Sequence, residues 1–208
     1  LDVAAEFFLS LLDAKGKQVP VIFRPWHEQS GGWFWWGRGQ RSAEAASDAV
    51  DYVRLWKYTV GYLRGKGVHN VLYAFSPSAG AWEFTPGQGK KGGAASVVTV
   101  WQEYPGDEWI DIVGIDTYTK SDEELRQNLL RLDEVIAFAQ EHRKIAAITE
   151  CGVRGGITEG AEYARGWYRR LLGQLAEKPT RKSTAYLLVW ANRKSGSRWV
   201  PVGAAGDD

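Results

Sequence analysis

Two carboxyl groups in this 208-residue chain stand where a side chain can do chemistry: Glu28, in Arg24-Pro25-Trp26-His27-Glu28, and Glu150, in Ile148-Thr149-Glu150-Cys151-Gly152. Each follows a short apolar run, residues 19–23 (VPVIF) and 144–149 (KIAAIT). Such runs read as buried strands, because they are too short to form helices of their own and the first is β-branched-rich. A strand that ends in an arginine, an imidazole and a carboxyl group is poorly explained by packing. Paired carboxyl groups at strand ends suit glycoside hydrolysis, where one protonates the leaving oxygen and the other attacks or activates water. In a retaining reaction the two must lie about 5–5.5 Å apart. The acid must hold its proton near neutral pH, which burial and a neighbouring negative charge favour. The nucleophile must be ionised, a form that a tyrosine hydroxyl or a guanidinium stabilises. Tyr118 and Arg24 are the candidates for that support by strand order. Spacing alone leaves open which glutamate plays which part. Next to Glu28 lies Trp33-Phe34-Trp35-Trp36, bracketed by Gly31-Gly32 and Gly37. Aromatic faces framed by glycine are surfaces on which sugar rings or bases stack.

The elements that must position these groups alternate along the whole chain. An amphipathic helix is expected over 1–13, from Val3, Phe7 and Leu11 with Phe8 and Leu12 beside them. After the first strand, Ser42 and the acidic residues behind it suggest the start of a helix over 42–65, closed by Gly65 and Gly67. A strand over 70–75 ends at Ser76-Pro77-Ser78, followed by a Gly-rich loop with Trp82 and Phe84, and a short helix is expected over 96–104. A third strand over 109–115 ends in Asp116-Thr117-Tyr118. A capping-box pattern from Ser121 opens a helix over 121–143. The strand over 144–149 ends at Glu150, a helix covers 158–177, and a fifth strand over 186–189 ends at Trp190.

Short apolar strands joined by helices imply parallel strands buried on both faces with right-handed crossovers. No glycine-rich phosphate loop follows any strand, so nucleotide binding loses support. Polar residues gather instead after the strands: Arg24, His27 and Glu28; Ser76; Asp116 and Tyr118; Glu150; Trp190. In a (β/α)8 TIM barrel those ends share the face that carries the chemistry. Such barrels take about 250 residues, whereas only five strands and four complete crossovers are evident here, so the barrel is incomplete.

Composition narrows the field further. Hydrophobic residues make up 44% and charged residues 25%, ordinary for one globular domain. A net charge of +1 implies no nucleic-acid partner. No apolar run reaches membrane-spanning length, and no signal peptide is visible. Eleven tryptophans exceed what a core of this size needs, which leaves some for a ligand. The lack of any Met, even at position 1, suggests a processed form or a fragment. The lone Cys151 allows no internal disulfide, and no metal-ligand spacing is present.

The stretch RPWHEQSGGWFWWG resembles the signature of glycoside hydrolase family 26 (GH26), whose members are mostly endo-β-1,4-mannanases. The resemblance continues in AFSPS (74–78), YPGDEWIDIVGIDTY (104–118), ITECG (148–152) and LLVWANRKSGSRWVPV (187–202), and so covers nearly the whole chain. It implies a retaining mannanase on a (β/α)8 barrel, with Glu28 as acid/base and Glu150 as nucleophile. By the same resemblance His27 shapes the site beside the acid, Arg24 is the strand-end arginine, and Tyr118 is bonded to the nucleophile. Trp33 and Trp190 match sugar-stacking aromatics. The five strands are then barrel strands 4–8 of a single catalytic domain over 1–208. Strands 1–3 and most of the last helix are missing, and the missing N-terminal part of the same barrel is an expected partner. No cofactor or metal is implied. The substrate would be a mannan-type polysaccharide, which in turn implies a secreted, cell-surface or periplasmic location. One departure is Ala191, where the family often has Arg after the tryptophan, so a glycone-side contact is in question.

Plainer roles compete for each residue. Glu28 could pair with Arg24, which shares its face in a strand, and Glu150 could cap a turn. His27 could be a core histidine, Trp35 and Trp36 core or wall, and Trp190 core. Asp116 could be structural, Cys151 could pack silently, and His69 and His142 read as surface residues. In function, the same chemistry on β-1,3-xylan or mixed-linkage β-glucan competes with mannan, as does carbohydrate binding without turnover.

Overall fold

The computed structural model describes residues 1–38, 45–84, 98–157, 162–192 and 198–200. The expected helix start at Ser42, most of the Gly-rich loop after Phe84, the first residues of the helix expected over 158–177, and the tail beyond Val200 lie outside them. Two compact units divide the chain, Leu1–Ile112 and Val113–Asp208.

In the first unit, helix α1 (Asp2–Ser10) buries Ala5 and Phe8 and leads to strand β1 (Val21–Phe23). Asn70 ties the two together: its Nδ2 donates to Phe8 O at 3.1 Å and to Val19 O at 2.9 Å. Helix α2 (Ala45–Gly65) follows, then strand β2 (Val71–Phe75). β1 and β2 pair in parallel, Val21 opposite Val71 and Phe23 opposite Tyr73. The buried face of α2 carries Tyr52, Trp56, Val60 and Leu63 at helical spacing. The Tyr52 and Trp56 rings pack on Phe75, with centroids 6.4 and 6.1 Å away. Strands β3 (Glu83–Phe84) and β4 (Val98–Thr99) form a two-residue antiparallel ladder. The helix expected over 96–104 is a 3₁₀ turn over Val100–Glu103. The strand expected from Trp109 begins later, because Gly106 at φ +108° opens another 3₁₀ turn over Asp107–Trp109.

The second unit contains all of strand β5 (Ile112–Thr119) but its first residue, then helix α3 (Asp122–Glu141), strand β6 (Ile145–Val153), helix α4 (Trp167–Glu177) and strand β7 (Leu187–Val189). β5 and β6 are buried along nearly their whole length, as expected of strands covered on both faces. Both run past their expected ends, so Asp116, Tyr118 and Glu150 lie inside strands rather than just after them. β6 and β7 pair in parallel. α3 starts as the sequence implies: Ser121 accepts from Glu124 N at 3.2 Å, and the Glu124 carboxylate accepts from Lys120 N at 2.9 Å. Its inner face is Leu125, Leu129, Leu132, Ile136 and Ala139. α4 begins only at Trp167, because Gly166 takes the left-handed conformation (φ +66°) and separates it from a 3₁₀ turn over Glu162–Ala164. The Trp167 indole N–H donates to Thr119 Oγ1 at 2.9 Å and so anchors the helix to β5. His142, expected at the surface, is half-buried and stacked on Phe138, with centroids 3.9 Å apart; His69 is exposed. Among the described residues no helix is long and apolar enough to cross a membrane.

Asp133 of α3 fastens the 3₁₀ turn over Pro179–Ser183. It accepts from Arg181 Nε at 2.8 Å and Nη2 at 2.9 Å, and from Lys178 Nζ at 2.8 Å. Partial burial pushes this carboxyl up, but Arg181 and Lys178 outweigh it and hold it below the usual carboxylate range. A carboxyl group lowered in the folded state stabilises above its unfolded pKa of about 3.9, and the contribution disappears as pH falls through the lower folded value. Asp133→Asn should therefore cost about 1 kcal/mol at pH 7, or roughly 2–4 °C in Tm. Thermal melts should show the gap from wild type closing below pH 4. A gap that persists at pH 3 would contradict the ionic clamp.

Candidate active site

The chain leaves β1 in an unusual path. Trp26 and Glu28 both adopt left-handed backbone conformations, φ +50° and +53°. For L-residues other than Gly this costs about 1–2 kcal/mol each and persists only where the surroundings over-determine it. They do so here. Trp26 Nε1 donates to Thr59 Oγ1 at 3.0 Å, and the Tyr52 hydroxyl donates to Trp26 O at 3.1 Å. Glu28 N donates to Ser76 O at 2.8 Å, and Glu28 O accepts from Gly31 N at 2.9 Å. Arg24 Nη1 also reaches Ser76, with 3.2 Å to its Oγ. The end of β2 thus fixes the turn that presents Glu28.

The aromatic block folds back over this turn. Trp33 Nε1 donates to Glu28 Oε2 at 2.9 Å, while its ring remains 55% exposed. Gly31 lets the ring lie here, since a methyl group at that position would fall inside the Trp33 ring and displace it. Trp36 Nε1 donates to His27 O at 2.9 Å and stacks on Phe34 at 4.4 Å; Phe34 in turn lies 4.9 Å from the His27 ring. His27 is therefore half-buried in an aromatic nest beside the carboxyl group. Trp35 does not belong to the core. It is 61% exposed and meets Trp26 and Trp36 edge-on.

Glu150, in the second unit, is buried on β6 at 4% exposure. Its Oε1 accepts from the Tyr118 hydroxyl at 2.5 Å. The pairing of β6 with β7 shifts here: Ile148 opposes Leu187 but Cys151 opposes Val189, so β6 carries one extra residue at Thr149–Glu150. Such a bulge re-aims side chains and is over-represented next to active sites. Thr149 donates to Asp116 Oδ1 at 2.7 Å, which gives Asp116 a structural bond within the strand pair. Trp190, half-buried just after β7, donates its N–H to Cys151 O at 3.1 Å. Burial, reinforced by the charges of Glu150 and Asp116, pushes the Cys151 thiol up to about 12, so it stays a protonated packing group.

One neighbour escaped the reading of single residues. Trp199 lies against Gly152, where a methyl group would collide with its ring and press on Tyr118. Its Nε1 donates to Val153 O at 3.0 Å, and its backbone is held by Asn192 Oδ1 and the Tyr168 hydroxyl. The signal was Gly152 itself, a strand-interior glycine that marks a close approach. Among the described residues no cluster of three or more His, Cys, Asp or Glu could hold a metal ion.

Comparison with known proteins shows which family the chain resembles. The family model for glycosyl hydrolase family 26 matches residues 1–178. A mannan endo-1,4-beta-mannosidase from Bifidobacterium adolescentis is 36% identical over 194 residues, covering 87% of this chain and 17% of that protein. One from Bacillus subtilis strain 168 is 27% identical, covering 90% and 43%. Among solved structures, a modular endo-beta-1,4-mannanase from Cellulomonas fimi is 35% identical with a TM-score of 0.78, covering 97% of this chain and 42% of that one. The catalytic domain of an endo-beta-1,4-mannanase from Bacillus sp. JAMB-750 is 36% identical with the same TM-score of 0.78, covering 96% and 49%. The chain thus spans less than half the length of each of these relatives. Its parallel strands and helices are part of a (β/α)8 barrel. With the family model matched over most of its length and these likenesses beside it, the chain belongs to glycosyl hydrolase family 26.

Proposed function

We propose that this chain carries the two catalytic carboxyl groups of a retaining endo-β-1,4-mannanase. The observation that carries the reading is the strained turn at Glu28, held from β2 and bonded to Trp33, because strain of this kind is kept at sites of function. The Tyr118 hydroxyl holds the Glu150 carboxyl group in one orientation, which supports its reading as the nucleophile, and the named activity of the relatives supports mannan as substrate. In the first step the Glu28 carboxylic acid gives its proton to the glycosidic oxygen. Glu150 attacks the anomeric carbon, the C–O bond to the leaving sugar breaks, and a glycosyl ester forms. In the second step the Glu28 carboxylate takes a proton from water, which attacks the same carbon and releases Glu150. Two inversions leave the anomeric configuration retained. His27 and Arg24 shape the acid's surroundings, and Trp33 and Trp190 offer ring faces to sugars. Neither step calls for a metal or an organic cofactor. A polymeric substrate places the enzyme outside the cell, as a secreted, cell-surface or periplasmic protein.

In the full-length protein, Glu28→Ala and Glu150→Ala should each lower hydrolysis of β-1,4-mannan by at least about 100-fold, since general acid–base catalysis alone contributes 10²–10⁴. Proton NMR of the first-formed reducing ends should show retained configuration. Near wild-type activity in either variant would remove the assignment, inverted products would replace the double displacement, and higher rates on xylan or mixed-linkage glucan would replace the substrate.

Tyr118→Phe removes one hydrogen bond to a charged group, worth about 1.5–3 kcal/mol. It should lower kcat/KM on mannan oligosaccharides by about 10- to 100-fold. A change of less than twofold would show that the bond to Glu150 does no catalytic service.

A further inference from the structure

Behind the Glu28 turn lies a buried ion pair that the mechanism does not use. Arg38 follows Gly37 at the end of the aromatic block, and Glu103 closes the 3₁₀ turn after β4. The guanidinium grips the carboxylate with two bonds, Nε to Oε1 at 3.1 Å and Nη2 to Oε2 at 3.0 Å. The two side chains are 4% and 1% exposed. The Arg38 backbone N–H donates to Gln29 O at 2.9 Å, on the residue next to Glu28. Taking two charges out of water is costly, so a buried pair is weak evidence for stability; its better-attested use is to specify one arrangement among alternatives. The segment it closes needs specifying. Trp26 and Glu28 are in left-handed conformations, and Gln29 is fully buried, its amide oxygen and nitrogen finding no hydrogen-bond partner among the described residues. A segment carrying strain and an unpaired buried amide does not choose this path unaided.

We infer that the Arg38–Glu103 pair is a positioning clamp for the proton-donating carboxyl group of Glu28, a role that rests on the acid/base reading above. Arg38 does not touch substrate in this role. It fixes where Glu28 and its partner Trp33 stand, and displacement of a catalytic group by about 1 Å can cost roughly 100-fold in rate.

The test compares two substrates in the full-length protein. A mannan oligosaccharide needs its leaving oxygen protonated. A dinitrophenyl β-mannoside of the same glycone does not, because dinitrophenolate leaves unaided. Arg38→Met should lower kcat/KM on the oligosaccharide by about 10- to 100-fold, while the dinitrophenyl substrate should change by less than about threefold. The double variant Arg38→Met/Glu103→Leu removes both members of the pair, so it should melt closer to wild type than Arg38→Met does while keeping the substrate-dependent loss. It also answers the question if the single variant fails to fold. Equal losses on both substrates would overturn the clamp, as would a double variant with wild-type rates on both. Glu28→Ala serves as the separate control. If that variant does not spare the dinitrophenyl substrate while losing the oligosaccharide, the acid/base reading itself fails.

Discussion

An L-residue at positive φ crowds its own Cβ against the following carbonyl, and the chain accepts this only where several contacts forbid the alternatives. Glu28 is such a residue, and the organisation of the first unit depends on keeping it there. Ser76 at the end of β2 takes its backbone N–H, Gly31 donates back to its carbonyl, and Trp33 bonds its carboxylate. Trp26, strained two residues earlier, is held from α2 by Thr59 and Tyr52. β1, α2 and β2 therefore serve one turn. Its glycines are fixed by the same demand: Gly31 has no room for a Cβ beneath Trp33, and Gly37 has none against the Gly31 carbonyl.

Glu150 is held by the opposite strategy. It needs no strained loop, because it sits within a buried strand. Its direction comes from a single extra residue in the β6–β7 pairing and from the Tyr118 hydroxyl. Asp116 and Thr149 join β5 to β6 beside it, and Gly114 leaves space for the Thr149 side chain. Substitutions at Gly114 or Gly152 would be felt at Glu150 without touching it. The burial that orients the carboxylate also silences Cys151, which shares the strand but stays a protonated thiol.

Much of this was legible in advance. Among the described residues, periodicity located the four α-helices and the strands of the parallel sheet, because apolar runs of strand length and stripes of helical spacing are local signals. Ends were less legible. β5 begins three residues later than its apolar run suggests, since Gly106 directs the chain into a 3₁₀ turn first. β6 continues past Thr149 because its pairing, and not its hydropathy, sets its length. The helix expected from residue 158 starts at Trp167, after a left-handed Gly166.

The residue types and their order determined that this chain carries carboxyl, imidazole, guanidinium and indole groups after parallel strands, and the whole motif pointed to its family. Tertiary structure alone decided how each group is held. Glu28 takes a conformation its own side chain disfavours, Glu150 turns on a bulge with no local signature, and Arg38 and Glu103 meet in the interior although neither is marked as special in the chain. Trp199 finds Gly152 across a long stretch of sequence. The physical reason is common to all four. Local pattern reports what a segment prefers by itself, whereas strain, bulges and buried charge pairs exist only because distant segments supply the contacts that sustain them.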